Sequence, residues 1–331
     1  MEIQARIAGF VTLGQQLMHQ NNPALEEIKQ RAQTENAWFI PSFINASLVQ
    51  ICQHFLQENA LKDWVAMYPN VSKTLTQKKI GIVMAGNIPM VGFHDLLSTL
   101  MAGHIAVVKL SSKDKVLMEY IIHSLQTIEP LWKDQIIIQD QLKNCDAYIA
   151  TGSNNTSQYF EYYFGKFPHI IRKNKTSIAI LNGDESTEKL GLLADDMMLY
   201  FGMGCRNVTQ LWVPTGYTFE PLLAALGKYD FVLDNHKYKH NYDYQLALLM
   251  MTRQFYMNNG AILLSENPSP FAAISQVHYQ YYEPGTDPAL NMEEIQCVVG
   301  KGGLEFGTLQ SPTLYQYADG VDTLAFLAGL N

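Results

Sequence analysis

The sequence predicts an α/β fold with two domains. The chain has 331 residues, which corresponds to about two domains at roughly 150 residues each. From residue 78 onward, short apolar runs alternate with stretches of helical periodicity, a pattern typical of βαβ units and a parallel sheet. Because the strand runs are apolar on both faces, we expect helices to cover the sheet on both sides.

The first part of the chain, residues 1–75, is predicted to be a helical segment that packs on the following domain. Apolar residues recur there at near-helical spacing in two places, Ile3, Ile7, Phe10, Val11, Gly14 and Leu17, and then Leu48, Ile51, Phe55 and Leu56. Pro23 and Pro41 interrupt the pattern and divide the segment into several helices.

The first α/β domain is predicted over residues 76–181. Its strands are expected at Ile80–Met84, Ile105–Leu110, Ile136–Ile138, Asp146–Ala150, near Ile170 and at Ser177–Leu181. Its helices are expected at Pro89–Met101, Lys113–Ile128 and Asn155–Phe164, where apolar residues return every three or four positions.

The second α/β domain is predicted over residues 182–331, after a hinge at Asn182-Gly183-Asp184. A helix at Ser186–Tyr200 opens it, with apolar side chains on one stripe. A glycine-rich turn, a strand at Val208–Val213 and further α/β texture to about residue 299 follow.

Composition excludes several classes of protein. With 23 basic and 31 acidic residues the net charge is −8, and no basic block stands out, so nucleic-acid binding is not expected. No apolar run approaches the roughly 18 residues of a membrane span, and the N-terminus does not read as a secretory signal. The four cysteines are scattered without a C-x-x-C pair, which predicts neither disulfides nor zinc and places the chain in the cytoplasm.

One cysteine stands in a context suited to nucleophilic chemistry. Cys205 lies between glycines and an arginine, in the run Phe201-Gly202-Met203-Gly204-Cys205-Arg206-Asn207. Nearby positive charge and backbone N–H groups lower a thiol pKa, and glycines allow a substrate to approach the backbone. A buried structural cysteine is the alternative. The other three cysteines are expected to be structural.

Three turns follow predicted strands and carry polar groups. In Gly86-Asn87-Ile88-Pro89, Asn87 either caps the next helix or donates its amide to a developing oxyanion. In Thr151-Gly152-Ser153, a helix N-terminus suits a pyrophosphate, although many strand-to-helix turns look alike. Lys109 at a strand end could meet a nucleotide or simply be solvated. Neither a G-x-G-x-x-G motif nor a P-loop is present.

A pair of histidines, His236 and His240, has the spacing of two metal ligands on one helix face. No H-E-x-x-H occurs, and the polar run around them suggests a surface connection. We therefore expect no metal site.

Taken in order, these pieces resemble the aldehyde dehydrogenase superfamily. The matching stretches, over about residues 78–300, are Asn87-Ile88-Pro89, Ala102-Gly103-His104, Val107-Val108-Lys109, Thr151-Gly152-Ser153, Gly202-Met203-Gly204-Cys205 and Glu293-Glu294-Ile295. The resemblance implies an aldehyde-dehydrogenase-like fold, with a Rossmann-type nucleotide-binding domain and an α/β catalytic domain. Residues 1–75 match the superfamily poorly and are left unassigned.

Within the superfamily, the stretches GNIPMVGFHDLLSTLMAGH, ATGSNNT and MGCRNVTQLWVP resemble the fatty acyl-CoA reductases of bacterial luminescence operons and their shorter relatives. That resemblance implies fatty acid metabolism through a thioester intermediate, in which Cys205 attacks an acyl-CoA or acyl-protein thioester and Asn87 stabilises the oxyanion. NADPH then reduces the acyl-enzyme to an aldehyde. The cofactor residues it implies are Lys109, Ser112, Gly152, Ser153 and Glu294.

The chain departs from the superfamily pattern at two functional positions. Arg172 stands where the hydrolytic glutamate is expected, which leaves Glu161 or Glu185 as other candidate bases. Ser112 replaces the glutamate that holds the adenosine ribose, which favours NADPH over NADH. The chain is also about two thirds of the usual length, so the hairpin through which the family oligomerises could be reduced. A homo-oligomer like that of the family is expected only if this hairpin is retained.

Two other functions remain open from the sequence. One is an NAD(P)-dependent aldehyde dehydrogenase working in the oxidative direction. The other is a catalytically degenerate scaffold that binds acyl groups, against which the intact Cys205 and Asn87 argue.

Overall fold

The structure is a computed structural model that describes residues 1–19, 22–72 and 76–330. Two compact units make up the chain. The first comprises Met1–Asn174 and the segment from Pro312 onward, and the second is Lys175–Ser311. Residues 20, 21 and 73–75 of the predicted helical segment, and residue 331 of the predicted second domain, lie outside the described residues.

Both units contain helices and strands. In the first unit they are α1 Ile3–Leu17, α2 Pro23–Glu35, α3 Pro41–Gln50, α4 Glu58–Ala66, β1 Lys79–Val83, α5 Phe93–Met101, β2 Ile105–Lys109, α6 Lys115–Ile128, β3 Ile136–Ile138, β4 Ala147–Thr151, α7 Asn154–Phe164 and β5 His169–Arg172. In the second they are β6 Thr176–Ile180, α8 Thr187–Met198, β7 Val208–Pro214, α9 Glu220–Leu226, α10 His236–Thr252, β8 Tyr256–Asn258, β9 Leu263–Glu266, β10 Gln276–Tyr282 and β11 Ile295–Gly300. A last helix, α11 Thr323–Ala328, belongs to the first unit.

The sheet of the first unit has five parallel strands in the order β3-β2-β1-β4-β5. Its central strand β1 is closely approached by its neighbour: a Cβ added at Gly81 would lie 2.7 Å from the ring of Tyr148 on β4. Glycine is therefore required at this point of the sheet. Helices α1 to α6 share one apolar core with β1, β2 and β4.

The C-terminal segment joins this same core through a buried polar network. Trp64 Nε1 donates to Tyr317 Oη at 2.7 Å, and Tyr68 Oη donates to Asp322 Oδ2 at 2.6 Å. The other carboxylate oxygen of Asp322 accepts from Ala325 N at 2.8 Å and so caps α11. The end of the described chain is thereby held against α4.

The sheet of the second unit has six strands in the order β11-β6-β7-β10-β9-β8. Its pairs are parallel except for the antiparallel pair of β8 and β9. The strand at Thr176–Ile180 lies between β11 and β7, whereas the predicted first domain extended through it to residue 181. Hydrogen bonds to strands distant in sequence decide this membership, and a local apolar pattern does not contain that information.

Two local predictions differ from the structure. The helix expected from Pro89 begins only at Phe93, because Pro89–Gly92 forms a turn in which Met90 has φ +56°. The run around His236, expected to be a surface connection, is the start of α10. Its polar residues face solvent while Tyr238 and Tyr242 are buried.

Candidate active site

The carboxyl edge of the first sheet gathers most of the predicted binding residues of that unit. Strands β2 and β4 lie on either side of β1, so the strand order reverses at β1. Asn87 follows β1, Lys109 ends β2, and Gly152 follows β4. Ligands of open α/β sheets bind outside the carboxyl ends of the strands at such a reversal.

Asn87 lies exposed in the loop after β1. The N-cap position of the next helix, α5, is held by Gly92, and no side chain caps it. The prediction that Asn87 caps this helix is therefore wrong. The oxyanion interpretation of Asn87 stays a prediction.

The loop around Asn87 is fixed by buried side chains from two other elements. Ser47 Oγ, on α3, donates to Pro89 O at 2.8 Å, and Met90 N donates to Asp114 Oδ2 at 2.8 Å. Burial raises the pKa of the Asp114 carboxyl well above its ordinary value. This contact was not visible in the sequence, because an aspartate before a helix suggests an N-cap, whereas the Asp114 side chain does not cap α6.

Lys109 and Ser112 are both exposed near the carboxyl end of β2. Ser111, by contrast, faces inward: a Cβ added at Gly86 would lie 2.5 Å from its hydroxyl. The ammonium of Lys109 and the hydroxyl of Ser112 are thus open to a ligand at this edge.

The Thr151-Gly152-Ser153 turn leads into α7. Ser153 Oγ accepts from Thr156 N at 3.3 Å and caps the helix. Gly152 is required for packing, since an added Cβ would lie 2.9 Å from the ring of Phe160. The N-terminus of α7 has partial positive charge and lies at the same edge as Lys109. This donor set fits the pyrophosphate and ribose of a dinucleotide.

Cys205 belongs to the second unit and lies in the turn that leads into β7. The neighbouring Asn207 is fully buried and holds the turn in place. Its Oδ1 accepts from Gly204 N at 2.8 Å, and its Nδ2 donates to Asp196 O at 3.0 Å and Leu199 O at 2.9 Å. Cys205 itself is half-buried, so the residue keeps some contact with solvent.

The approach to this turn has an unusual backbone. Tyr200, Phe201 and Gly202 have consecutive φ values of +56°, +58° and +72°. Left-handed conformations of residues other than glycine cost about 1–3 kcal/mol each and persist only where the surroundings enforce them. Such residues cluster at functional sites, which favours the nucleophile interpretation of Cys205 over the structural one.

A second cysteine lies beside the Cys205 turn. Ser177 Oγ donates to Cys205 O at 3.0 Å, and Arg206 Nη1 donates to Cys297 Sγ at 3.4 Å. Burial raises the pKa of the Cys297 thiol, although Arg206 opposes the shift. From the sequence, Cys297 was expected to be a structural cysteine. The pairing of β11 with β6, which brings Cys297 beside the Cys205 turn, cannot be recognised from the neighbouring residues in the sequence.

Glu294, the remaining predicted cofactor residue, precedes β11 in the second unit. Its carboxylate accepts from Asn291 Nδ2 at 3.1 Å, and its main-chain oxygen accepts from Thr176 N at 3.0 Å. The backbone of Glu294 is therefore fixed by the edge strand pair.

Among residues 1–19, 22–72 and 76–330, no group of three or more His, Cys, Asp or Glu side chains could hold a metal ion. In the same part of the chain, no helix combines the length and the apolar character needed to span a membrane. His236 and His240 are exposed on α10.

Comparison with known protein families identifies the family of this chain. The family model described as acyl-CoA reductase (LuxC) matches residues 29–220, more than half of the 331 residues. The chain belongs to the acyl-CoA reductase (LuxC) family. The match begins within the helical segment that the superfamily motifs left unassigned, so the second half of α2 together with α3 and α4 lies within the matched region.

Individual relatives of this acyl-CoA reductase family member are distant. Long-chain acyl-protein thioester reductase 2 of Photobacterium leiognathi is 21% identical over 229 residues, which cover 63% of this chain and 48% of that protein. The chain thus spans about half the length of the curated relative that it matches.

Solved structures agree with the predicted fold class. A putative aldehyde dehydrogenase from Burkholderia cenocepacia has a TM-score of 0.62 at 12% identity, covering 86% of this chain and 70% of its own. An aldehyde dehydrogenase from Mycobacterium tuberculosis, complexed with NAD+, has a TM-score of 0.61 at 13% identity, covering 86% and 69%. The predicted aldehyde-dehydrogenase-like fold is confirmed.

Proposed function

We propose that this chain is an NADPH-dependent reductase that converts a fatty acyl thioester to an aldehyde through an acyl-Cys205 intermediate. The observation that supports it most directly is the Cys205 turn. Asn207 fixes this turn from the inside, and strained residues precede it, while the cysteine remains half-buried. A cysteine with only a packing role does not need such a backbone.

The reaction divides into two steps at Cys205. In the first, the Cys205 thiolate attacks the carbonyl carbon of the thioester, the bond from that carbon to the donor sulfur breaks, and the donor leaves as a thiol after taking up a proton. In the second, the acyl carbon gains two electrons and a hydrogen, the bond to Sγ of Cys205 breaks, and the aldehyde leaves. NADPH supplies the hydride when bound. Asn87 is the proposed donor to the oxyanion in each step.

The proposed cofactor contacts follow from the charges and hydrogen-bond donors at the carboxyl edge of the sheet of the first unit. Lys109, Ser112 and the N-terminus of α7 offer positive charge and donors, which suit a dinucleotide with an additional phosphate. Glu294 is proposed to hold the nicotinamide ribose. The acyl donor is proposed to be acyl-CoA or an acyl-protein thioester, the second because the curated relative is named a reductase of acyl-protein thioesters.

Intact-protein mass spectrometry after exposure to acyl-CoA tests the intermediate. We expect one acyl adduct in the wild type, absent in Cys205→Ala and retained in Cys52→Ala, Cys145→Ala and Cys297→Ala. Cys297→Ala is the matched control, because its thiol lies near the same turn. An adduct that persists in Cys205→Ala contradicts the nucleophile. Adduct formation without oxidation of NADPH would instead support the acyl-binding scaffold.

A further inference from the structure

We infer that Asp114 and Ser47 are positioning residues that hold Asn87 in place by fixing the backbone of the Asn87 turn, defined as residues 86–92. The inference rests on the proposed function, in which Asn87 donates to the oxyanion. Neither residue belongs to the Asn87 turn, and neither is among the proposed catalytic or cofactor residues.

The contacts fall on two consecutive residues of the turn. Ser47 Oγ donates to the carbonyl oxygen of Pro89 at 2.8 Å, and the N–H of Met90 donates to Asp114 Oδ2 at 2.8 Å. Ser47 is 7% exposed, Asp114 2% and Met90 2%. These hydrogen bonds are therefore shielded from competing water, and each main-chain group depends on its side-chain partner.

The turn needs such support because its own conformation is unfavourable. Met90 has φ +56°, a left-handed conformation that residues other than glycine rarely adopt. No helix supports this backbone, since α5 begins only at Phe93. Without the acceptor on Asp114, the buried N–H of Met90 would lose its partner and the turn could relax.

Asp114 acts on the turn and not on its own helix. It occupies the N-cap position of α6, yet its side chain makes no cap hydrogen bond there. Its second oxygen, Oδ1, is buried without a hydrogen-bond partner among the described residues. A buried carboxyl that leaves its own helix uncapped and bonds a strained loop is what a positioning role requires.

Two substitutions at Asp114 distinguish its role as a hydrogen-bond acceptor for the turn from an effect of its charge. Asp114→Asn keeps an acceptor for Met90 N–H, whereas Asp114→Leu removes it in a side chain with the same branching and the same number of heavy atoms. We expect Asp114→Leu to lower kcat for acyl reduction about 10- to 100-fold, as displacement of a reacting group does, with KM for NADPH within about twofold. Asp114→Asn restores kcat to within about threefold of wild type. Ser47→Ala lowers kcat in the same direction, and Thr99→Val, which removes a buried hydroxyl of α5 outside the turn, leaves it unchanged.

A double-mutant cycle with Asn87→Ala identifies the path of the effect. If Asp114 acts through Asn87, Asp114→Leu lowers kcat no further once Asn87 is alanine. Amide hydrogen exchange of a peptide covering residues 84–92 should also be faster in Asp114→Leu than in wild type or Thr99→Val.

Each contrary result has a distinct meaning. Equal losses of kcat in both backgrounds, or unchanged exchange in residues 84–92, overturn the positioning role. A wild type that forms no acyl adduct with either acyl-CoA or an acyl-protein thioester overturns the proposed function instead.

Discussion

Arg172 donates to both carboxylate oxygens of Asp95, at 2.6 and 2.9 Å, and both side chains are buried. The same guanidinium donates to Thr323 Oγ1 at 2.9 Å. Arg172 thereby connects the end of β5 to α5 and to the start of α11. Arg172 stands where the superfamily resemblance expects a hydrolytic base. Here it links three elements within the first unit.

Arg172→Met should destabilise the first unit by about 3–5 kcal/mol, because it leaves the buried Asp95 carboxylate without its partner. Arg172→Met combined with Asp95→Leu should recover much of that loss, since no uncompensated charge remains. Guanidinium denaturation of both variants measures the difference. Equal stability of the single and double variants would show that the pair contributes through packing alone.

The proposed enzyme should hydrolyse its acyl-enzyme slowly, because arginine cannot accept a proton at neutral pH. Oxidation of a long-chain aldehyde by NADP+ should therefore depend on added CoA as the acyl acceptor. The other candidate bases are already engaged: Glu185 accepts from Asn182 N at 2.6 Å, and Glu161 lies 3.6 Å from His169 Nε2. Rapid oxidation to free acid without CoA, lost in Glu161→Gln or Glu185→Gln, would identify one of them as the base.

Asn87→Ala should lower the turnover of acyl reduction by about 10²–10³, the effect of removing one oxyanion donor. Because Gly92 and not Asn87 occupies the N-cap position of α5, no helix cap is lost. No drop in melting temperature is therefore expected from uncapping of α5. Steady-state kinetics and thermal unfolding on the same preparation check both parts, and a lower melting temperature with normal turnover would assign Asn87 a structural role.

Ser112→Glu should weaken NADPH binding by about 10-fold or more and leave NADH binding nearly unchanged, because the new carboxylate repels only the 2′-phosphate. Ser112→Ala, which adds no charge, serves as the control. Fluorescence titration of both cofactors against the three proteins gives the dissociation constants. A wild type that binds NADH as tightly as NADPH contradicts the predicted preference, although the reductase proposal would stand.

The stability of the second unit should depend on pH through Asp196. Burial raises the pKa of this carboxyl to about 6, although the N–H groups of Gly307 and Leu309 oppose the shift. The unfolded chain loses this proton near pH 4, so the folded chain binds it more tightly between about pH 4 and 6. The resulting stabilisation is complete below pH 4 and is lost as the pH rises through 6.

Asp196→Asn removes this titration. Between pH 4 and pH 7 the free energy of unfolding of the wild type should therefore fall by about 2–3 kcal/mol relative to that of the variant. Denaturation of both proteins across this range measures the difference, and a constant difference contradicts the raised pKa.

Much of the candidate site was visible in the sequence because its signals are local. Glycines around Cys205 and polar residues directly after β1, β2 and β4 identified the turns, whatever the strands pair with. The supporting residues were not visible. Asn207, Asp114 and Ser47 act through buried hydrogen bonds to backbone groups, and nothing in their immediate sequence distinguishes them from ordinary caps or surface residues.

The sequence by itself determined the α/β class and the order of helices and strands between residues 78 and 213, because apolar periodicity depends only on which side chains each element buries. The tertiary structure decided which sheet each strand joins, and it placed Thr176–Ile180 in the second sheet and the segment from Pro312 in the first unit. It also placed Arg172, which stands where the superfamily has its hydrolytic glutamate, in a buried ion pair with Asp95. These outcomes depend on partners far apart in the chain, such as Arg172 and Thr323, whose meeting only the complete fold brings about.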